Sequence, residues 1–287
     1  MTSALKLFQG RFGRVALLDS DQDLVTHTHP QCHVLIKADG ADTSFMVRGR
    51  RVPLDDDTLV LVNAWEPHAK VHPSPGERST VLALYIEPEW LAACDPKLGV
   101  CGRRGFFPEP CALIPPAVRA AARRVIREML EGGLQAGAGA ARQARWEGAL
   151  FELMMAVIFG LSAWREAAAL QRAGLLRAPD PRIERAIALM REDLSCRDAF
   201  DEIARRCHLS RPHFFHLFRA STSVPPAIYL NTLRMEAAFG QLPGRRASMD
   251  LLAQSLGFSE PHHFGRFFRR NLGIPPGEYR RRVDLFA

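Results

Sequence analysis

Lysine is nearly missing from this 287-residue chain, which has four lysines among its 38 basic residues. Tyrosine (3) and cysteine (6) are also scarce, and no two cysteines form a CxxC pair. That spacing excludes a disulfide or zinc-ribbon framework. The longest largely apolar stretch, Leu153 to Trp164, has 12 residues and is broken only by Gly160 and Ser162, well short of the roughly 18–20 needed to cross a bilayer. The opening stretch MTSALKLFQGRFGR has no apolar core, so no signal peptide is expected and a soluble, cytoplasmic protein is. What is present is ordinary for a globular chain. Hydrophobic residues are 47% and charged residues 24%, which excludes global disorder. The length predicts two domains or three.

The charge is uneven. From Pro179 to Ala287 there are 17 arginines, no lysine and 12 acidic residues, so +5 of the chain's net +7 lies in this stretch. Guanidinium suits bidentate contacts to phosphate and guanine. A GC-rich genome would also replace lysine with arginine throughout, so composition alone leaves both readings open.

Along the chain, the first ninety residues carry short β-rich runs (RVALLD, HVLIKAD, TSFMVRG, TLVLVN, TVLALYI) parted by turn signals such as Asp39-Gly40. Strands at close spacing without intervening helices predict a small barrel or sandwich. From Glu87 the pattern becomes helical. Val118, Ala122, Val125 and Met129 recur on one helical face, and Trp146, Leu150, Leu153, Val157 and Leu161 on another. QRAGLLRAPDP, Gln171 to Pro181, reads as an interdomain linker.

An internal repeat follows. Phe200-Asp-Glu-Ile-Ala204 with His208-Leu-Ser210 recurs 49 residues later as Met249-Asp-Leu-Leu-Ala253 with Gly257-Phe-Ser259. Each copy runs into an aromatic-rich helix and a Pro-Pro pair. A small residue (Ala204, Ala253) permits close helix approach, Gly257 can take positive φ in the turn, and Ser210 and Ser259 fall at or beside an N-cap. This is the pattern of two helix-turn-helix units.

These hundred residues resemble the tandem helix-turn-helix domain of AraC/XylS transcriptional regulators, most specifically over LLAQSLGFSEPHHFGRFFRRNLGIPPGEYR, Leu251 to Arg280. His208 at the turn glycine and Ser223 before Val224-Pro225 depart from the pattern. The resemblance implies a linking helix over about Pro225 to Gln241 and two recognition helices aimed at successive major-groove faces. It assigns Pro212, Phe215 and His216, then Pro261, His262, His263 and Arg266, to base edges. Arg211, Arg219, Arg269 and Arg270 are assigned to phosphates.

In the first domain, HTHPQCHVLIKADG resembles the first cupin motif, with His33 at its glutamate position. NAWEPHAKVH resembles the end of the second, with His68 as its histidine and His72 at the asparagine position. The cupin resemblance implies that His27, His29, His33 and His68 share one pocket, which takes an organic effector or a divalent metal, or else keeps these histidines as vestigial pocket or core residues with neither. No cofactor is certain, and the choice between zinc, iron, nickel and copper stays open.

The expected architecture is therefore α+β and multidomain. It comprises a cupin-like effector-sensing barrel (1–110), a helical dimerisation or packing element (111–170), a linker (171–181) and a tandem helix-turn-helix domain (182–287). The expected function is that of a non-enzymatic, effector-controlled DNA-binding regulator acting as a homodimer. Its partners are double-stranded DNA, a small-molecule effector and, for an activator, RNA polymerase; no membrane partner is expected. The competing expectation is a metal-dependent cupin enzyme fused to a DNA-binding domain.

Overall fold

The computed structural model describes residues 3–72, 76–102, 105–131, 139–166, 169, 180–195, 200–243 and 248–286. The linker expected at 171–181 lies outside these residues except for Asp180 and Pro181. Those two open a helix, where the Asp180 side chain caps the Arg182 amide.

The β-rich part comprises β1 (Ser3–Gly10), β2 (Gly13–Ser20), β3 (Cys32–Gly40), β4 (Thr43–Val47), β5 (Arg50–Leu54), β6 (Thr58–Val62), β7 (His68–Val71) and β8 (Ser79–Ile86). Helix α1 (Pro88–Cys94), a 3-10 turn and β9 (Cys111–Leu113) follow, then α2 (Pro116–Glu131) and α3 (Gly139–Leu161). Arg48 and Gly49 both have positive φ, as the tight hairpin between β4 and β5 requires.

One sheet has the order β10-β1-β2-β8-β3-β6-β9, where β10 is Val283–Leu285, and the other has the order β5-β4-β7. Strand alternation decides what each face buries. Val34 and Ile36, with Leu82, Leu84, Leu59 and Leu61, pack against Val118, Trp146, Leu150 and Leu153 of α2 and α3. The alternate residues Leu35, Val60, Val62, Ala83 and Tyr85 face inward, toward Phe45, Val47 and Leu54 of the second sheet. The helices of 111–170 thus close the outer face of the barrel.

The C-terminal part is helical: α4 (Pro181–Glu192), α5 (Phe200–Arg206), α6 (Arg211–Thr222), α7 (Pro226–Gln241), α8 (Met249–Ser255), α9 (Pro261–Leu272) and α10 (Pro276–Arg282). The chain ends in β10 (Val283–Leu285), which pairs in parallel with β1. In sequence these residues fall within the expected DNA-binding domain (182–287); in space they extend the barrel sheet. The pairing is long-range, so no local pattern announces it.

The two repeat copies fold alike. Helices α5 and α6 form the first helix-turn-helix, α8 and α9 the second, and α7 joins them. His208 (φ 56°) and Gly257 (φ 79°) occupy the same left-handed turn position, and Ser223 (φ 59°) and Gly273 (φ 90°) end the recognition helices. Ser210 is the N-cap residue of α6, whereas Glu260, one past Ser259, is that of α9. Their cores differ. Copy one packs with α4 around Ile183, Met190, Phe214 and Phe218. Copy two shares a continuous core with the barrel interior, through Phe239, Phe264, Phe268 and Tyr279. Among the described residues, no helix is long and apolar enough to cross a membrane.

Candidate functional site

The loop between β2 and β3 carries the first histidine segment and lies against the helical domain. His27 forms an antiparallel bridge with His68 at the start of β7, with backbone bonds of 2.9 and 3.0 Å. His33 points inward from β3 by strand parity. Four rings therefore meet: His27–His68 at 4.4 Å between centroids, His27–His29 at 4.8 Å, His29–His68 at 5.1 Å, His29–His33 at 5.2 Å and His33–His68 at 5.3 Å. All four are buried. His72 stands apart, its amide held by Asp23 Oδ1 at 2.7 Å.

Hydrogen bonds set the tautomers. Nδ1 lies 2.7 Å from the Val25 carbonyl in His27, 3.0 Å from the Leu84 carbonyl in His33 and 2.9 Å from the Glu66 carbonyl in His68. A carbonyl only accepts, so each Nδ1 carries the proton and each Nε2 presents a lone pair. Nε2 of His29 and of His68 is buried without a hydrogen-bond partner. Burial holds all four imidazoles below their ordinary pKa, His33 down to about 3. Mutual repulsion among the rings adds to this at His29 and His68. The cluster is neutral at pH 7.

Two further residues belong to this chamber. Tyr85 stacks on His33 at 4.1 Å, and Lys70 is pushed down to about 8 by burial. Tyr85 lies in neither motif-like segment, and Lys70, although inside NAWEPHAKVH, stands at no motif position. Their signal was strand parity alone, which marks many core residues equally. Leu35, Phe45 and Tyr85 fill most of the barrel, leaving an interior cavity of 30 Å³, room for about one or two waters.

The larger space is outside, between the domains. A cleft of 390 Å³ is bounded by Val25–His29 on one side, by Thr232, Met235 and Phe239 of α7 on another, and by Arg266 and Arg270 of α9 on the third. Around it the domains are fastened by buried polar contacts. Thr28 Oγ1 and Thr232 Oγ1 are 2.6 Å apart. Arg14 makes a bidentate pair with Glu236 at 2.9 Å and lies 3.8 Å over the Phe239 ring. Gln31 Nε2 donates to both Glu87 and Glu236, at 2.7 and 3.1 Å. Tyr279 Oη donates to Gln9 Oε1 at 2.6 Å, and Trp65 stacks on Tyr229 at 4.1 Å. None of these pairs is legible in the sequence, because the partners are 56 to 270 residues apart.

The recognition helices place their assigned residues as follows. Arg211, Pro212, His216 and Arg219 of α6 are exposed, while Phe215 is half-buried against Phe200 and Phe214. Arg211 also pairs with Asp201 at 2.6 Å. On α9, Pro261, His262, Arg266, Arg269 and Arg270 are exposed and His263 is partly so. His262 lies 2.8 Å from Glu260, and His263 meets Ser259 Oγ at 3.2 Å. Arg266 and Arg270, four residues apart, share one side of the helix and face the cleft; Arg269 does not line it.

A barrel that holds a buried polar chamber, joined to two helix-turn-helix units bearing exposed arginines, defines a sensor–effector class of protein. Comparison with known proteins identifies the class further. Residues 16–154 match the model of the AraC-like ligand binding domain, and residues 203–282 that of a helix-turn-helix domain. The chain belongs to the AraC family.

The MmsAB operon regulatory protein of Pseudomonas aeruginosa is 32% identical over 33% of this chain and 31% of its own length. The RCS-specific HTH-type transcriptional activator RclR of Escherichia coli K12 is 31% identical over 37% of this chain and 38% of its own. The match thus spans about a third of these curated relatives, both of them regulators. Fatty acid-bound ToxT of Vibrio cholerae superposes over 98% of this chain and 95% of its own, with TM-score 0.53 and 12% identity. It shares the two-domain fold.

Proposed function

We propose that this chain is a sequence-specific, effector-controlled transcriptional regulator that binds double-stranded DNA through α6 and α9. The carrying observation is the shared cleft. The arginine-bearing side of α9 borders a cavity whose opposite wall is the histidine loop of the barrel, so whatever occupies that cavity touches sensor and reader together. Helix α7, 16 residues long, spaces the two readers by about 24 Å, suited to neighbouring major-groove faces of one duplex. Arg266 is assigned to a guanine edge, and Arg211, Arg219, Arg269 and Arg270 to phosphates, whose neutralisation makes binding salt-dependent. Pro212, Phe215, His216, Pro261, His262 and His263 supply the remaining base-edge surface.

The cleft combines the apolar Met235 and Phe239 with Arg266 and Arg270, which favours an amphipathic anion as effector. Such a ligand shifts the population between docked and released arrangements of copy two. Exposed Leu130 and Phe159 on the helices that cover the barrel support assigning α2 and α3 to a homodimer contact. RNA polymerase is the further partner if the regulator activates. The protein then acts in the bacterial cytoplasm without catalysing a reaction.

Selection of bound duplexes from a random pool, followed by competition at physiological salt, tests this reading. A recovered motif preferred over scrambled DNA is the expected result. Equal binding of both across a salt titration overturns it.

A further inference from the structure

Granted that α9 reads DNA, we propose that Glu260 is a positioning residue that sets which base the helix accepts. Its carboxylate fixes the tautomer of His262, and His262 then selects bases that carry an amino group in the major groove. Glu260 is the N-cap residue of α9, yet its side chain makes no cap hydrogen bond to the helix. It turns instead to His262, whose Nδ1 lies 2.8 Å from Glu260 Oε2. A carboxylate only accepts, so Nδ1 carries the proton and the neutral ring presents Nε2 as a lone pair. His263 packs on that ring at 4.1 Å between centroids and is itself tied to Ser259 Oγ at 3.2 Å. The imidazole of His262 is thus held from two sides.

Placement makes the pair a reader. His262 is the second residue of α9, and the N-terminal residues of a recognition helix meet the base edges. It stands one turn before Arg266 on the same side of the helix, about 6 Å back along the axis, which is roughly one to two base-pair steps. Its side chain is 55% exposed, and it does not line the interdomain cleft that His263, Arg266 and Arg270 border. A carboxylate at this end of the helix opposes phosphate binding, which points to a contribution to selectivity and not to affinity. Copy one has no counterpart: Ser210 is the N-cap residue there, and Pro212 takes the second helical position.

The base class follows from the lone pair. Adenine N6 and cytosine N4 are donors in the major groove, whereas guanine and thymine present only acceptors there. Neutral His262 therefore accepts from adenine or cytosine on one strand. Protonation reverses this. Imidazole changes charge between about pH 5 and 8, and the imidazolium donates from Nε2, to guanine N7 or O6. The charged and titratable groups around the ring are Glu260, His263 and, one turn on, Arg266; across the cleft, His27 and His29 of the barrel loop face His263 and Arg266.

Duplexes are selected from a random pool at about pH 8 with the full-length wild type, and competition binding then measures the preference at each position. His262→Ala, checked for fold by circular dichroism, locates the base pair by the preference it loses. Adenine or cytosine is expected there over guanine or thymine by about fivefold, moving toward guanine at about pH 6. Glu260→Ala should reduce that ratio at pH 8 to within about twofold, and the double variant should lose no more than either single one. Glu260→Gln, whose amide oxygen still accepts from Nδ1, should retain it. No preference lost in His262→Ala, an unchanged ratio in Glu260→Ala, or equal losses in Glu260→Gln and Glu260→Ala would overturn the assignment. A summed loss in the double variant, which would put Glu260 itself on the base, or a ratio unmoved by pH would also overturn it. In each of these cases a recovered motif leaves the regulator reading standing, whereas recovery of no motif by the wild type overturns both.

Discussion

The two helix-turn-helix copies share a local code yet sit in opposite surroundings. Copy one packs on α4 and has a core of its own. Copy two has no separate core: Phe239, Phe264, Phe268 and Tyr279 continue into the inner face of the barrel, and β10 beyond it joins the barrel sheet. Local pattern therefore sets what each copy is, and long-range packing sets which one the sensor holds. Copy two is the part whose recognition helix borders the cleft, and copy one is joined to it through α7.

The largest test of this contrast is core truncation. Phe218 and Phe268 are equivalent, fully buried residues of the two recognition helices, and changing either to alanine should cost roughly 3–5 kcal/mol. Differential scanning calorimetry should show Phe268→Ala lowering the transition that includes the barrel, and Phe218→Ala lowering that of copy one. Identical melting profiles for the two variants would merge what the packing separates.

A smaller effect contrasts two ion pairs. Glu236→Ala strands Arg14, whose side chain is 7% exposed, and should destabilise the protein by about 3 kcal/mol, the lower end for a broken buried pair because Glu236 itself partly meets water. Asp201→Ala breaks the Arg211 pair of copy one, exposed on both sides, and should cost less than about 1 kcal/mol. Chemical denaturation of the two variants side by side measures the difference.

Next in size is the reading of DNA. Arg266→Ala should relax base preference in one half of the site by roughly 1–3 kcal/mol, whereas Arg270→Ala should weaken all sequences alike and reduce the salt slope by about one. Competition binding with matched and mismatched duplexes separates them. A uniform loss from Arg266→Ala would move that residue from base edge to backbone.

The smallest contrast lies in the turns. His208 holds a left-handed conformation that glycine adopts without strain, so His208→Gly should stabilise copy one by up to about 1 kcal/mol. The reverse change in copy two is not equivalent. A Cβ on Gly257 would meet the Ser195 backbone at 2.6 Å, so Gly257→Ala should destabilise by more than His208→Gly gains. Equal and opposite shifts in melting temperature would contradict that close approach.

Much of this is legible in the sequence. Turn residues and short β-rich runs mark the strands, and the 49-residue repeat marks both helix-turn-helix units, down to the left-handed position shared by His208 and Gly257. The cupin resemblance singled out the four histidines whose rings meet. Lys70 and Tyr85 were not legible as chamber residues, because an inward strand position looks the same whether it lines a site or fills a core. Neither could spacing show that the barrel is nearly full and that the roomy cavity lies outside it. Cavity volume depends on how side chains from many strands interlock, and no single strand carries that information.

By itself, the amino-acid sequence determined the local elements, the repeat, the arginine-rich helices and the pairing of a histidine-bearing β domain with a DNA-binding-type helical one. These follow from residue periodicity, turn chemistry and short-range spacing, all of which act within a few residues. Only the tertiary structure decided that His33 stacks on Tyr85. It alone decided that Arg14 and Glu236 clamp the linking helix, that β10 closes onto β1, and that copy two shares the barrel's core. Each of these joins segments tens to hundreds of residues apart, where burial and hydrogen-bond satisfaction of the whole chain select the partner and no local preference can.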